Sequence, residues 1–173
     1  MNQNNRTVIN ILFWSMLVYY LLIMVELLFL RVVMDYSRIN LIPFETISRG
    51  IIFHEGSRAP SIDIQVWANV FVFIPAGLYL MTLGVKHSIP KSFLIVFLSS
   101  LGIEILQYIL KVGIFDIDDL ILNCLGGLLG ILFYCLLQKL FKSKEKAKSI
   151  TTILSLFIGV PYLILELLAH HYN

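Results

Sequence analysis

Apolar residues along this chain neither alternate nor recur in narrow stripes. They come in long blocks separated by short polar breaks. The first block covers residues 8–30, with Glu26 as its single charge. It is long enough to span a bilayer as a helix, exceeds the apolar core of a signal peptide and lacks a small-residue cleavage site. A retained transmembrane helix is therefore predicted, with Glu26 and Arg31 at its interfacial end. Similar blocks follow over about residues 66–86, 92–110, 120–141 and 150–168. Asn69 stands near the start of the second, and Pro75 lies inside it, where a missing backbone hydrogen bond favours a kink. A turn over 86–91 joins the second block to the third. A basic stretch over 142–149, read as a solvated linker, precedes the fifth, for which a kink at Gly159 or Pro161 is expected.

The first connection, 31–65, is the longest. Its middle, 40–53, reads NLIPFETISRGIIF and is apolar for a solvated loop yet too short to span. Such a segment fits a re-entrant or interfacial position. Ile42, preceding Pro43, favours extended or turn geometry. The pattern predicts an all-α membrane protein: a polytopic bundle of about five transmembrane helices with a partly apolar, re-entrant first loop, forming a single membrane domain over 1–173.

Composition strengthens this reading. The chain is 58% hydrophobic and 14% charged, against about 25% charged residues in soluble domains. No nucleotide fingerprint and no basic nucleic-acid surface is visible. Cys124 and Cys135 lie in one apolar block, about 16 Å apart at helical rise, too far for a mutual disulfide. His54, His87, His170 and His171 lack zinc spacing, and Ser57, Ser99 and Ser100 have no sequence partners for a nucleophile.

Charge placement sets an orientation. Of the thirteen basic residues, eight fall on the side of the N-terminus and five on the other. The positive-inside rule then predicts a multi-pass membrane protein, N-terminus cytoplasmic and C-terminus outside. Arg31, Arg38, Arg49 and Arg58 of the first loop dissent, which suggests that they neutralise an acidic site or meet anionic head groups. In this orientation the third span ends and the fourth begins near the outer leaflet. Glu104, Gln107, Asp116, Asp118, Asp119 and Asn69 then converge at one depth, as groups of a binding site do.

Asp116, Asp119 and Asn123 recur at helical spacing on one face. Gly126, Gly127 and Gly130 continue inward, a pattern that predicts close helix packing. Ser100, Glu104 and Gln107 share a face of the third span. Interhelical hydrogen bonding would explain them at about 1 kcal/mol per bond, but a glutamate at such depth costs roughly 3 kcal/mol, which favours a functional role for Glu104. Asp116 or Asp118 is expected to cap the fourth helix. Three aspartates exceed what a cap needs and repel one another, so a divalent cation or an arginine from Arg38, Arg49 and Arg58 is expected among them. The EF-hand pattern is absent.

These stretches together resemble the VanZ-like family of bacterial membrane proteins. The resemblance is carried by NLIPFETI over 40–47, NVFVFIPAG over 69–77, EILQ over 104–107 and FDIDDLILNCLGGLLG over 115–130, in the family's order across about 38–134. Val112-Gly113-Ile114 stands where the family commonly has a basic residue before its aspartates, with Lys111 as the nearest cation, and Cys124 replaces a threonine. The resemblance implies a cell-envelope role in lowering susceptibility to glycopeptide and lipoglycopeptide antibiotics such as teicoplanin. Expected partners are membrane lipids, a lipid-linked wall precursor or the lipoglycopeptide, and no nucleic acid.

Two function classes follow. In one, an amphipathic ligand binds in an acidic outer-leaflet cleft through Arg38, Asn40, Glu45, Arg49, Asn69, Gln107 and Asn123. In the other, a metal-dependent enzyme acts on a lipid-linked phosphate, with Glu104, Asp116, Asp118 and Asp119 as candidate catalytic groups and the three aspartates as candidate ligands of a divalent cation. A lipid transporter is a weaker third, because no inverted repeat is visible.

Overall fold

A computed structural model describes residues 3–30, 39–52, 61–62, 64–84 and 88–172. Arg38, Arg58, His54 and His87 lie outside them, and the side chain of Arg49 is likewise outside the description. Helix α1 (Gln3–Val25) passes directly into a π-helical segment (Glu26–Leu30). The first connection contains strand β1 (Ile39–Asn40), the short helix α2 (Glu45–Gly50), β2 (Ile51–Ile52) and β3 (Ser61–Ile62). Helices α3 (Ile64–Thr82) and α4 (Ile89–Leu110), strand β4 (Phe115–Asp116), and helices α5 (Ile117–Phe141) and α6 (Lys144–Tyr172) complete the chain. The expected helical membrane bundle is present.

Among the described residues, four helices are long and apolar enough to cross a membrane: α1 with its π segment, α4, α5 and α6. Helix α3 occupies the expected second span but supplies a shorter apolar stretch, Trp67–Thr82. Its 19 residues rise about 28 Å, and it sits against α5 rather than alone in lipid. Pro75 and Pro161 are both accommodated inside continuous helices.

The basic stretch differs from expectation. Only Lys142 and Ser143 separate α5 from α6, and the remaining lysines form the first turns of α6. Lys142 closes α5 in the left-handed conformation, its N–H donating to the Gln138 carbonyl. Lysine, glutamate and alanine are good helix formers, and Ala147 is fully buried, so this segment has a face to pack. Arg6 and Glu145 pair at 3.0 Å, and Lys148 Nζ lies 4.3 Å from the Phe13 ring centroid. These contacts tie the beginnings of α1 and α6 to one level.

The centre of the molecule is the α3–α5 contact, where glycines let the backbones meet. A methyl group on Gly126 would collide with the Val70 carbonyl, one on Gly130 with the Ile74 carbonyl, and one on Gly77 with the Gly127 carbonyl. Gly127 likewise admits the Val96 methyls of α4. Phe73, Leu78, Val96, Ile131, Tyr134 and Leu137 fill the core around this contact. The close packing expected of the glycine pattern is thus used on both sides of α5, leaving its polar first turns between α3, α4 and the first connection.

Candidate functional site

The connection from α4 to α5 begins with a helix stop. Lys111, in the left-handed region at φ 57°, receives no side-chain role among the aspartates; its backbone N–H closes α4 onto Gln107 and Tyr108 carbonyls. Residues 115–116 then extend and pair in parallel with β1, Ile39 opposite Phe115 and Asn40 opposite Asp116. This two-residue ladder brings the first connection onto the head of α5.

Asp116 is the N-cap of α5, its Oδ1 accepting the Asp118 N–H at 2.9 Å. Its carboxylate also accepts from Thr46 Oγ1 at 2.6 Å and from Asn40 Nδ2 at 3.3 Å. Asp118 is completely buried and faces the start of α2. It accepts the backbone N–H groups of Phe44 at 2.6 Å, Thr46 at 2.8 Å and Ile47 at 3.1 Å. Orphan donors at a helix start are natural partners for a carboxylate. Phe44 has φ 65°, uncommon for a residue with a Cβ, and its bond to Asp118 helps hold it there. Asp116 and Asp118 therefore fasten the described part of the first connection to the head of α5.

Asp119 turns elsewhere. It is half-buried and accepts a hydrogen bond from Asn69 Nδ2 of α3 at 2.5 Å. Glu104 of α4 is 2% exposed, and its Oε2 accepts the Asp116 backbone N–H at 3.2 Å. One turn deeper, Asn123 Nδ2 donates to Ser100 Oγ at 3.0 Å, while its buried Oδ1 finds no donor among the described residues. Glu45 opens α2. Gln107 serves a different purpose, donating to the Leu28 carbonyl of the π segment at 2.8 Å. A π turn leaves carbonyls poorly matched within the helix, and Gln107 satisfies one of them.

The structure thus brings Asn40, Asn69, Glu104, Asp116, Asp118, Asp119 and Asn123 to one end of the bundle but divides their duties. Among the described residues, Asp116 and Asp118 are met by backbone N–H groups, an amide and a hydroxyl; Arg38, Arg58 and the side chain of Arg49 lie outside the description. Arg6 and Glu145 form an ion pair far along the chain from the aspartates. No group of three or more histidine, cysteine, aspartate and glutamate residues suited to a metal is found among the described residues. Thr46 is the group that sequence reasoning did not single out. Its place within NLIPFETI was visible; its bonds to two aspartates 70 and 72 positions away were not.

This arrangement defines a polytopic helical membrane protein whose first connection is docked on a glycine-packed helix pair. Residues 16–138 match the VanZ/LLP1 family model, and the chain belongs to that family. A curated relative, Protein VanZ of Enterococcus faecium, is 36% identical over 99 residues, 57% of this chain. The chain covers 58% of the length of that relative. No solved structure matches.

Proposed function

We propose that this protein acts in the cell envelope to lower susceptibility to glycopeptide and lipoglycopeptide antibiotics, by binding an amphipathic envelope lipid or the drug near the outer leaflet. The observation that carries the reading is the division of the acidic residues. Asp116 and Asp118 are occupied with the loop, whereas Asp119 is partly exposed and bonded to Asn69. Glu104 lies buried behind Asp116. Holding carboxylates at membrane depth is costly, and an accessible one suits a ligand that donates hydrogen bonds or carries a positive charge. Arg38 and Arg49 are the groups proposed to meet an anionic part of the ligand. The orientation belongs to the same proposal, with the N-terminus cytoplasmic.

The test is teicoplanin susceptibility in a sensitive bacterial host with and without the chain. A raised inhibitory concentration on expression is expected, with the drug chemically unchanged after incubation with the purified protein. Unchanged susceptibility contradicts the resistance reading. Chelator-sensitive conversion of a lipid-linked phosphate by the purified protein replaces ligand binding with the enzymatic alternative.

A further inference from the structure

A cavity of about 500 Å³ lies between α1, α3 and α6, lined by residues such as Met16, Ile23, Phe71, Pro75, Ile158 and Tyr162. Its lining is exposed at Ala68 and Phe71 of α3, at Phe133 of α5 and at Ile158 of α6. Three hydroxyls within its lining are already committed, Tyr79 Oη donating to Ser155 Oγ and Tyr20 Oη to the Val72 carbonyl, each at 2.8 Å, and Ser155 Oγ to the Thr151 carbonyl at 2.9 Å; the rest of the lining is mostly hydrocarbon. The surface presented to an occupant is therefore nearly all apolar. A water needs two to four polar partners, and an apolar void of this size forfeits dispersion contacts along its walls. At the depth of the spanning helices, the abundant apolar molecule that can fill it is a hydrocarbon chain.

Helix α3 is a wall shared between this cavity and the polar cluster. Ala68, Phe71, Val72 and Pro75 line the cavity, while Val70 and Phe73 meet α5 at Gly126 and Asn69 bonds to Asp119. Ala68 and Asn69 are consecutive, so the mouth of the cavity and the Asn69–Asp119 pair are separated by no more than the width of a helix, about 10 Å. The charged residues that accompany Asp119 at this end among the described residues are Glu45, Glu104, Asp116 and Asp118, with Lys111, exposed at the close of α4, as the cation, so the balance is acidic. Charge complementarity there favours a cationic head over a purely anionic one.

We propose that the α1–α3–α6 cavity holds the acyl chain of a bilayer lipid whose head group carries a protonated amine, with the ammonium seated against Asp119. This deepens the amphiphile-binding reading above and rests on it. The lipid enters laterally past Ala68, its tail lies along α3, and its head remains at the level of the first connection.

Native mass spectrometry of the purified full chain, titrated with phosphatidylethanolamine or phosphatidylglycerol of identical chains, tests this directly. The intact protein should retain one phosphatidylethanolamine with about tenfold preference over phosphatidylglycerol. Asp119→Asn should abolish that preference while leaving tail-dependent binding. Ala68→Trp and Ile158→Trp, which crowd the cavity from α3 and α6, should each remove the tightly held lipid. If one of them fails to yield monodisperse protein, the other gives the same reading. Equal retention of both lipids by the wild type, or wedge variants that bind as the wild type does, overturns the inference. Because no drug is present, its failure is separable: lost lipid preference with intact teicoplanin protection sinks the lipid assignment alone, and intact preference without protection sinks the resistance reading alone.

Discussion

Replacing Asp118 by asparagine keeps the shape of the side chain and removes its charge and one of its acceptors. In the native protein this buried carboxylate accepts three backbone N–H groups, from Phe44, Thr46 and Ile47. Hydrogen bonds to a charged partner are worth about 1.5–3 kcal/mol each. A simple sum overstates the loss, because the loop donors are only part-buried and water can reach them once the loop lifts. The asparagine also points its own amide donors at N–H groups. A net weakening of loop docking by about 3 kcal/mol follows, roughly a hundredfold rise in the undocked population. Hydrogen-exchange mass spectrometry in lipid nanodiscs reads it. Peptides covering 40–50 should exchange much faster in Asp118→Asn, whereas peptides around Gly126–Gly130, buried by α3 and α4, should not change. Unaltered exchange over 44–47 in a folded variant would refute the role assigned to Asp118.

Two further outcomes follow from the packing. Gly77→Ala drives a methyl into the Gly127 backbone carbonyl and should lower stability by about 1–3 kcal/mol, whereas Gly102→Ala meets nothing within 4 Å and should be neutral or up to about 1 kcal/mol stabilising through helix propensity; thermal unfolding in detergent compares them. Gln107→Leu removes the bond to the Leu28 carbonyl at a cost of about 1 kcal/mol, and should broaden spin-label distances between the end of α1 and α4 without affecting α3–α5 distances.

The spanning helices could be read from the chain because lipid demands long, uniformly apolar segments, and α1, α4, α5 and α6 satisfy that demand through composition alone. The glycine contact was also readable, since small residues at Gly126, Gly127 and Gly130 have few uses other than close packing. The division of labour among the aspartates was not. Asp118 and Asp119 are adjacent in sequence, but successive helical positions point about 100° apart, so one meets α2 and the other α3. Their partners, Phe44 and Thr46 for one and Asn69 for the other, come from distant parts of the chain. Gln107 shared a face with Glu104 and still went to a different helix, because the π segment offered a carbonyl within reach. The start of α6 was missed because its lysines resemble a linker until α1 supplies partners, Phe13 for Lys148 and Arg6 for Glu145. The lateral cavity draws its lining from α1, α3, α6 and Phe133 of α5 at once and leaves no local signature.

The central claim is that Asp119 contacts a ligand while Asp116 and Asp118 hold the loop. Its most direct test is teicoplanin susceptibility of cells expressing Asp119→Asn at wild-type levels, paired with hydrogen exchange over 40–50. Asp119→Asn should lose protection while its loop exchanges as in the wild type. Full protection by this variant, or a loop released as strongly as in Asp118→Asn, would contradict it.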